Sequence, residues 1–112
     1  MTNKPLNPWW PDTDRQNLRV LGKLLEELGE ATAAASRCVI QGIGEAEPVT
    51  GKPNRQWLED ELADVCACAG LVIKHFQLDD ERMAQRIDAK REHLNRWAAL
   101  IAPGQTPERK TP

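Results

Sequence analysis

The chain has 112 residues, with 15 Lys and Arg against 17 Asp and Glu and a net charge of −2. That length allows one domain, and interspersed charges of both signs exclude a nucleic-acid-binding surface as its organising feature. No apolar run approaches a membrane span, the N-terminus lacks a signal-peptide apolar core, and the three cysteines show no CxxC spacing, so a reducing cytoplasm is the expected compartment.

Residues 1–11, with Pro5, Pro8, Pro11 and the pair Trp9-Trp10, read as an extended arm. Asp12 or Thr13 is placed to cap a first helix, and Thr13-Asp14-Arg15-Gln16 fits the capping-box pattern. This helix runs to about Gln41, where Gly42 and Gly44 stop it. The stretch 42–53 is rich in Gly and Pro and forms a loop. Asn54 is a good N-cap for a second helix ending near His75. Asp79 caps a third, which reaches about Ile101 before Pro103-Gly104. Residues 103–112 read as a flexible polar tail, leaving a single helical domain over 12–102. The fold class is therefore all-α, with three main helices per chain. Three helices alone leave apolar stripes uncovered, so oligomerisation, as a homodimer or homotetramer, is expected to complete a four-helix-bundle-like core.

Two acidic clusters stand out within these helices. Glu26-Glu27-Leu28-Gly29-Glu30 and Glu61-Leu62-Ala63-Asp64 each place carboxylates at i and i+3, hence on one helix face. Two such pairs facing each other would form a cage of hard oxygen ligands suited to a divalent cation. On the first helix Leu18, Leu21, Leu24, Leu25, Leu28 and Ala35 gather on one side, which is expected to face the core. Glu26 and Glu30 lie opposite and Glu27 on the flank, so a solvated acidic face is the default reading of this cluster taken by itself. The second helix differs. Its apolar face comprises Leu58, Leu62, Val65, Ala69, Val72, Ile73 and Phe76, and Glu61 falls inside that arc with Asp64 at its edge. A core-facing carboxylate must be protonated, paired or bound to a cation.

The third helix carries Lys90 within the stripe Met83, Ile87, Leu94, Ala98 and Ile101. Snorkelling, an ion pair with Glu61 or Asp64, and a phosphate contact are all open to it. Arg37 shares the Glu30 face and is either a surface residue or a phosphate contact. Lys52, Asn54 and Arg55 precede the Glu61 helix, where loop capping and phosphate binding at a helix N-terminus both fit. Trp57, one turn before Glu61, suits packing or stacking on a nucleobase, and Trp97 suits packing.

The order EExxE, a gap of some thirty residues, then ExxD resembles the signature of the MazG-like all-α nucleoside triphosphate pyrophosphohydrolases, a superfamily that includes dimeric dUTPases and dCTPase-like enzymes. The words Leu24-Leu25-Glu26-Glu27-Leu28-Gly29-Glu30-Ala31 and Asp60-Glu61-Leu62-Ala63-Asp64-Val65 look like its two motif helices. The resemblance implies that Glu27, Glu30, Glu61 and Asp64 hold Mg²⁺, with Mn²⁺ as a substitute. It implies further that Glu27 or Glu26 orients the attacking water and that Lys90 is the third-helix basic residue. The implied reaction cuts a nucleoside triphosphate between its α and β phosphates, giving the monophosphate and pyrophosphate. After Lys90 the chain departs from the Lys/Asn-rich ending of dCTPase-like members, which leaves nucleotide preference open. A di-iron carboxylate bundle needs Glu-x-x-His pairs, and neither cluster supplies one. The remaining alternative is a catalytically inert helical dimerisation or nucleotide-binding regulatory module.

Overall fold

The computed structural model describes residue 6 and residues 8–104; the rest of the expected arm and the tail beyond 104 lie outside the described residues. Three helices follow in chain order, α1 (Arg15–Gln41), α2 (Asn54–Phe76) and α3 (Asp80–Leu100). No strand occurs among the described residues, only an isolated antiparallel bridge between Ala46 and Pro53. The chain is all-α, as its periodicity implies. It divides into two compact units, one ending at Leu78 and one beginning at Asp79.

The first unit is a helical hairpin. Asp14, not Asp12 or Thr13, caps α1, its side chain accepting the Asn17 backbone N–H at 2.9 Å. Asp12 is drawn elsewhere: its carboxylate accepts the Asp14 N–H at 2.7 Å and the Asn17 side-chain amide at 3.0 Å. These bonds hold the Asp12 carboxyl below its ordinary pKa, the backbone bond contributing most. Gly42 ends the helix with φ of 100°, a conformation that favours glycine, and its N–H donates to the Cys38 carbonyl at 2.9 Å.

Asn54 is the first residue of α2 rather than its N-cap, which is Pro53 and supplies no side-chain bond. The reason is burial. Asn54 is 0 % exposed, and its side-chain amide donates to the Gly42 carbonyl at 2.9 Å and to Gln41 Oε1 at 3.3 Å. It therefore fastens the end of α1 to the start of α2. At the other end His75 Nε2 lies 2.8 Å from Asn17 Oδ1. Residue 17 beside 75 and residue 41 beside 54 define an antiparallel pair.

The α2 terminus has a Schellman-type finish. The Leu78 N–H reaches the Ile73 carbonyl at 3.0 Å while Gln77 adopts φ of 51°. A non-glycine residue there is strained, so Gln77→Gly is expected to stabilise the protein by about 0.5–1 kcal/mol, the relief exceeding the added unfolded-state entropy. Chemical denaturation of the two proteins checks this.

The inward face of α1 is not the leucine face. Val20, Leu24, Glu27, Ala31, Ala34 and Cys38, spaced three and four apart, are buried or half-buried, as are Asn17 and Arg37. Leu18, Leu21, Leu25 and Leu28 are exposed, Leu25 by 69 %. On α2, Leu58, Val65, Cys68, Ala69, Val72, Ile73 and Phe76 turn inward together with Glu61, whereas Leu62 departs from the expected face and is exposed. Small inward residues on α1 let α2 approach closely, and this decides the register over raw hydrophobicity.

The second unit contains α3, capped by Asp79, whose side chain accepts the Arg82 N–H at 3.0 Å. Asp80 and Glu81 in its first turn complement the helix dipole. None of its residues is fully buried: Ile87, Leu94 and Trp97 are exposed and Met83 is half-buried, so Trp97 is not the packed residue its position suggests.

Candidate metal centre

Glu27 and Glu30 on α1 meet Glu61 and Asp64 on α2. One carboxylate oxygen from each lies within 4.8 Å of all the others. The antiparallel register brings this about, because each i,i+3 pair shares a face and the faces oppose at mid-hairpin. Burial is graded across the group. Glu27 is 9 % exposed, Glu61 is half-buried, and Glu30 and Asp64 open to solvent. Glu27, expected on the flank, is thus the most buried of the four.

Two of the oxygens are orphans: Glu27 Oε2 and Glu61 Oε2 are buried with no hydrogen-bond partner. Glu27 Oε1 is served by Lys23 at 3.4 Å, which also reaches Glu26 at 3.3 Å. The hydrogen bonds and charges of both acids raise the Lys23 pKa, Glu26 contributing most. Lys23 escaped the sequence reading, although its i,i+4 spacing to Glu27 was a visible signal. Glu26 itself is exposed and is not one of the four clustered acids.

The Glu30 carboxyl is pushed above its usual 4.5, first by lost hydration, then by the negative charges of Glu27, Glu61 and Glu26 and by contact with Glu61. Four acids held this closely repel one another. A divalent cation removes that cost, and its chemistry fits: four carboxylates of hard oxygen, two of which carry a buried oxygen with no partner. Mg²⁺ places opposed ligand oxygens about 4.1 Å apart and Ca²⁺ roughly 4.6–5.2 Å apart, so small side-chain rotations bring the set to either. The group is capable of holding a metal ion.

A cavity opens on each side. One, of about 380 Å³, is lined by Lys23, Glu27, Asp64, Ala67, Cys68 and Leu71. The other, of about 300 Å³, is lined by Glu30, Ala33, Ala34, Arg37, Trp57 and Glu61. The half-buried Trp57 ring has the Lys52 ammonium 4.1 Å and the Arg37 guanidinium 5.5 Å from its centroid. Lys52 is also paired with Asp60. The loop between α1 and α2 is internally bonded, since the Glu47 carboxylate accepts the N–H groups of Val49 and Thr50 and the Thr50 hydroxyl. Those bonds, led by the Thr50 side chain, hold the Glu47 carboxyl below its usual value, with a smaller contribution from Arg37.

Arg55 is exposed in the first turn of α2 and forms no ion pair or side-chain hydrogen bond among the described residues. Lys90 belongs to the second unit, where Arg86, Lys90, His93 and Arg96 share one basic face of α3.

No protein-family model, no curated protein and no solved structure matches this chain.

Proposed function

We propose that the chain is a Mg²⁺-dependent nucleoside triphosphate pyrophosphohydrolase of the MazG-like kind, a homo-oligomer serving nucleotide-pool housekeeping in the cytoplasm. The observation that carries this reading is the quartet Glu27, Glu30, Glu61 and Asp64, with two buried and unpartnered oxygens. An inert helical module has no need of such a group, whose self-repulsion lowers its own stability.

In this reading the four carboxylates hold Mg²⁺ through their clustered oxygens. The bound cation would neutralise charge developing on the phosphates and favour an ionised water at neutral pH. The protein's own contribution is positional. Lys23 engages one oxygen of Glu27 and leaves the other buried without a partner. This favours Glu27 over Glu26 for orienting the attacking water, since the Glu26 carboxylate is exposed and is not one of the four clustered acids. Attack at the α phosphorus releases pyrophosphate and leaves the nucleoside monophosphate. The exposed leucines of α1 support association.

The test is pyrophosphate release from a panel of canonical and modified nucleoside triphosphates with Mg²⁺. Glu61→Gln and Glu27→Gln are each expected to lower turnover at least about 100-fold, an effect of the size seen when a preorganised electrostatic group is lost. Glu26→Gln is expected to change it less than about tenfold. Orthophosphate as the sole product, or equal losses from Glu26→Gln and Glu27→Gln, would contradict the assignment. Mg²⁺-dependent nucleotide binding without turnover would point instead to the regulatory module.

A further inference from the structure

We propose that the cavity between Glu30, Arg37, Trp57 and Glu61 is the phosphate-chain subsite of the acidic centre, with Arg37 as its anion-binding group and Trp57 as the residue that positions Arg37. This inference rests on the pyrophosphohydrolase reading and names which cavity and which cation take the phosphates.

Trp57 is the natural candidate for stacking a nucleobase, but its surroundings argue otherwise. The Lys52 ammonium sits 4.1 Å from the ring centroid, so it occupies a face that a base would need, and the Arg37 guanidinium lies over the ring at 5.5 Å. The indole therefore acts as a cation platform. The two cations are not equivalent. Lys52 is committed, paired with Asp60 as well as with the ring. Arg37 forms no ion pair and donates no side-chain hydrogen bond among the described residues, so its planar set of donors is free. Glu47 is close enough to feel its charge, yet Glu47 is already held by Val49 and Thr50.

The cavity itself is shaped for a compact polar ligand. Ala33 and Ala34 form part of its wall where larger side chains would fill the space, leaving about 300 Å³. Trp57, which lines this cavity, also carries a buried donor without a partner in Nε1. Glu30 and Glu61 also line it and would repel a bare anion. Phosphate should therefore enter only once a cation has neutralised them, which makes anion and metal binding reciprocal.

Inorganic tripolyphosphate separates phosphate recognition from base recognition. Its binding is to be measured by calorimetry with and without Mn²⁺, alongside Mn²⁺ alone, for the wild type, Arg37→Gln, Arg37→Lys, Trp57→Leu and Trp57→Phe. Wild type is expected to bind tripolyphosphate only with Mn²⁺. Arg37→Gln should weaken that binding about tenfold or more and Arg37→Lys less, because the charge survives but the fork does not. Trp57→Leu should weaken it severalfold, with Trp57→Phe restoring most of the loss and the ranking of nucleotide bases unchanged in both. All variants should keep wild-type Mn²⁺ affinity. Unchanged tripolyphosphate binding in Arg37→Gln, or a changed base ranking in Trp57→Leu, overturns the inference while leaving the metal centre standing. Absence of Mn²⁺ binding by the wild type overturns the pyrophosphohydrolase reading and this inference with it. If Trp57→Leu loses its helical circular dichroism, the Arg37 pair and Trp57→Phe decide.

Discussion

Glu61→Gln is expected to melt above the wild type in chelator and below it in excess Mg²⁺. The crossing follows from the state of the quartet. Without a cation, Glu27 and Glu61 each bury an unpartnered oxygen, and the Glu30 carboxyl is pushed up by lost hydration and by its neighbours' charges. An amide at residue 61 removes one of those charges and relieves the others. With a cation the balance inverts, since a ligand binding only the folded state stabilises it by about 2.7 kcal/mol at a hundred times its Kd. For a chain of this size that is roughly 10 °C or more in Tm, and Glu61→Gln forfeits most of it.

Three carboxyls with displaced pKa values give the expected pH dependence of the metal-free protein. A carboxyl whose folded pKa is raised destabilises the fold where it is ionised, so the Glu30 penalty is present above its raised value and is relieved as pH falls toward its usual 4.5. Glu47 and Asp12 act oppositely. Their pKa values are lowered, so their contributions are full above about 4.5 and 3.8 and are lost as pH falls through the lowered folded values. Metal-free stability is therefore expected to rise between neutrality and the region just above pH 4.5 and to fall below it. Thermal melts by circular dichroism across that range, with chelator or with Mg²⁺, check both the crossing and the slope. A Glu61→Gln protein that melts below the wild type under both conditions would show that its carboxylate is structural.

The end of α1 and the start of α3 were legible because they rest on local chemistry. Asp79 before Asp80-Glu81 and Gly42 after Gln41 each act within one turn, and both ends fall where the residues place them. Asn54 was misplaced by one role because its value is tertiary: the amide is used across the hairpin on Gln41 and Gly42, which no local pattern shows. The acidic residues were legible as two pairs at helical spacing, and Glu61 was recognised as inward-facing from its own helix. Glu27 was not. Periodicity ranks faces by hydrophobicity, and the leucines of α1 outweigh the line Val20, Leu24, Glu27, Ala31, Ala34 and Cys38. Close approach of two helices rewards small residues instead, and the alanines on that line turn it toward α2. Glu27 goes inward with them. The cation platform at Trp57 was illegible for a different reason: it joins Arg37 of α1, Lys52 of the loop and a ring on α2, three segments that meet only in the folded hairpin.

The leucine face that this register leaves outside carries the second large effect. Leu18, Leu21, Leu25 and Leu28 recur at intervals of three and four, forming an apolar seam along α1 with Leu25 the most exposed. Such a seam is the kind of surface another helix covers. Each leucine is already partly shielded, so covering the rest gains on the order of 1 kcal/mol apiece, or roughly 8 kcal/mol from two copies. Association costs about 4–15 kcal/mol in lost freedom. The seam alone therefore supports a weak dimer, and a tight one must also cover apolar residues such as the exposed Leu62. Either way, a charge at the centre of the seam is decisive, because Leu25→Glu removes the most exposed leucine and would bury an unpaired carboxylate. Sedimentation over a concentration series is expected to show the wild type as a dimer or larger and Leu25→Glu as a monomer, shifted by at least 100-fold in dissociation constant. Mn²⁺ affinity should persist in Leu25→Glu, since Glu27 and Glu30 meet Glu61 and Asp64 within one chain. A wild type that stays monomeric would overturn self-association, and a Leu25→Glu variant that still assembles would place the interface elsewhere on the molecule.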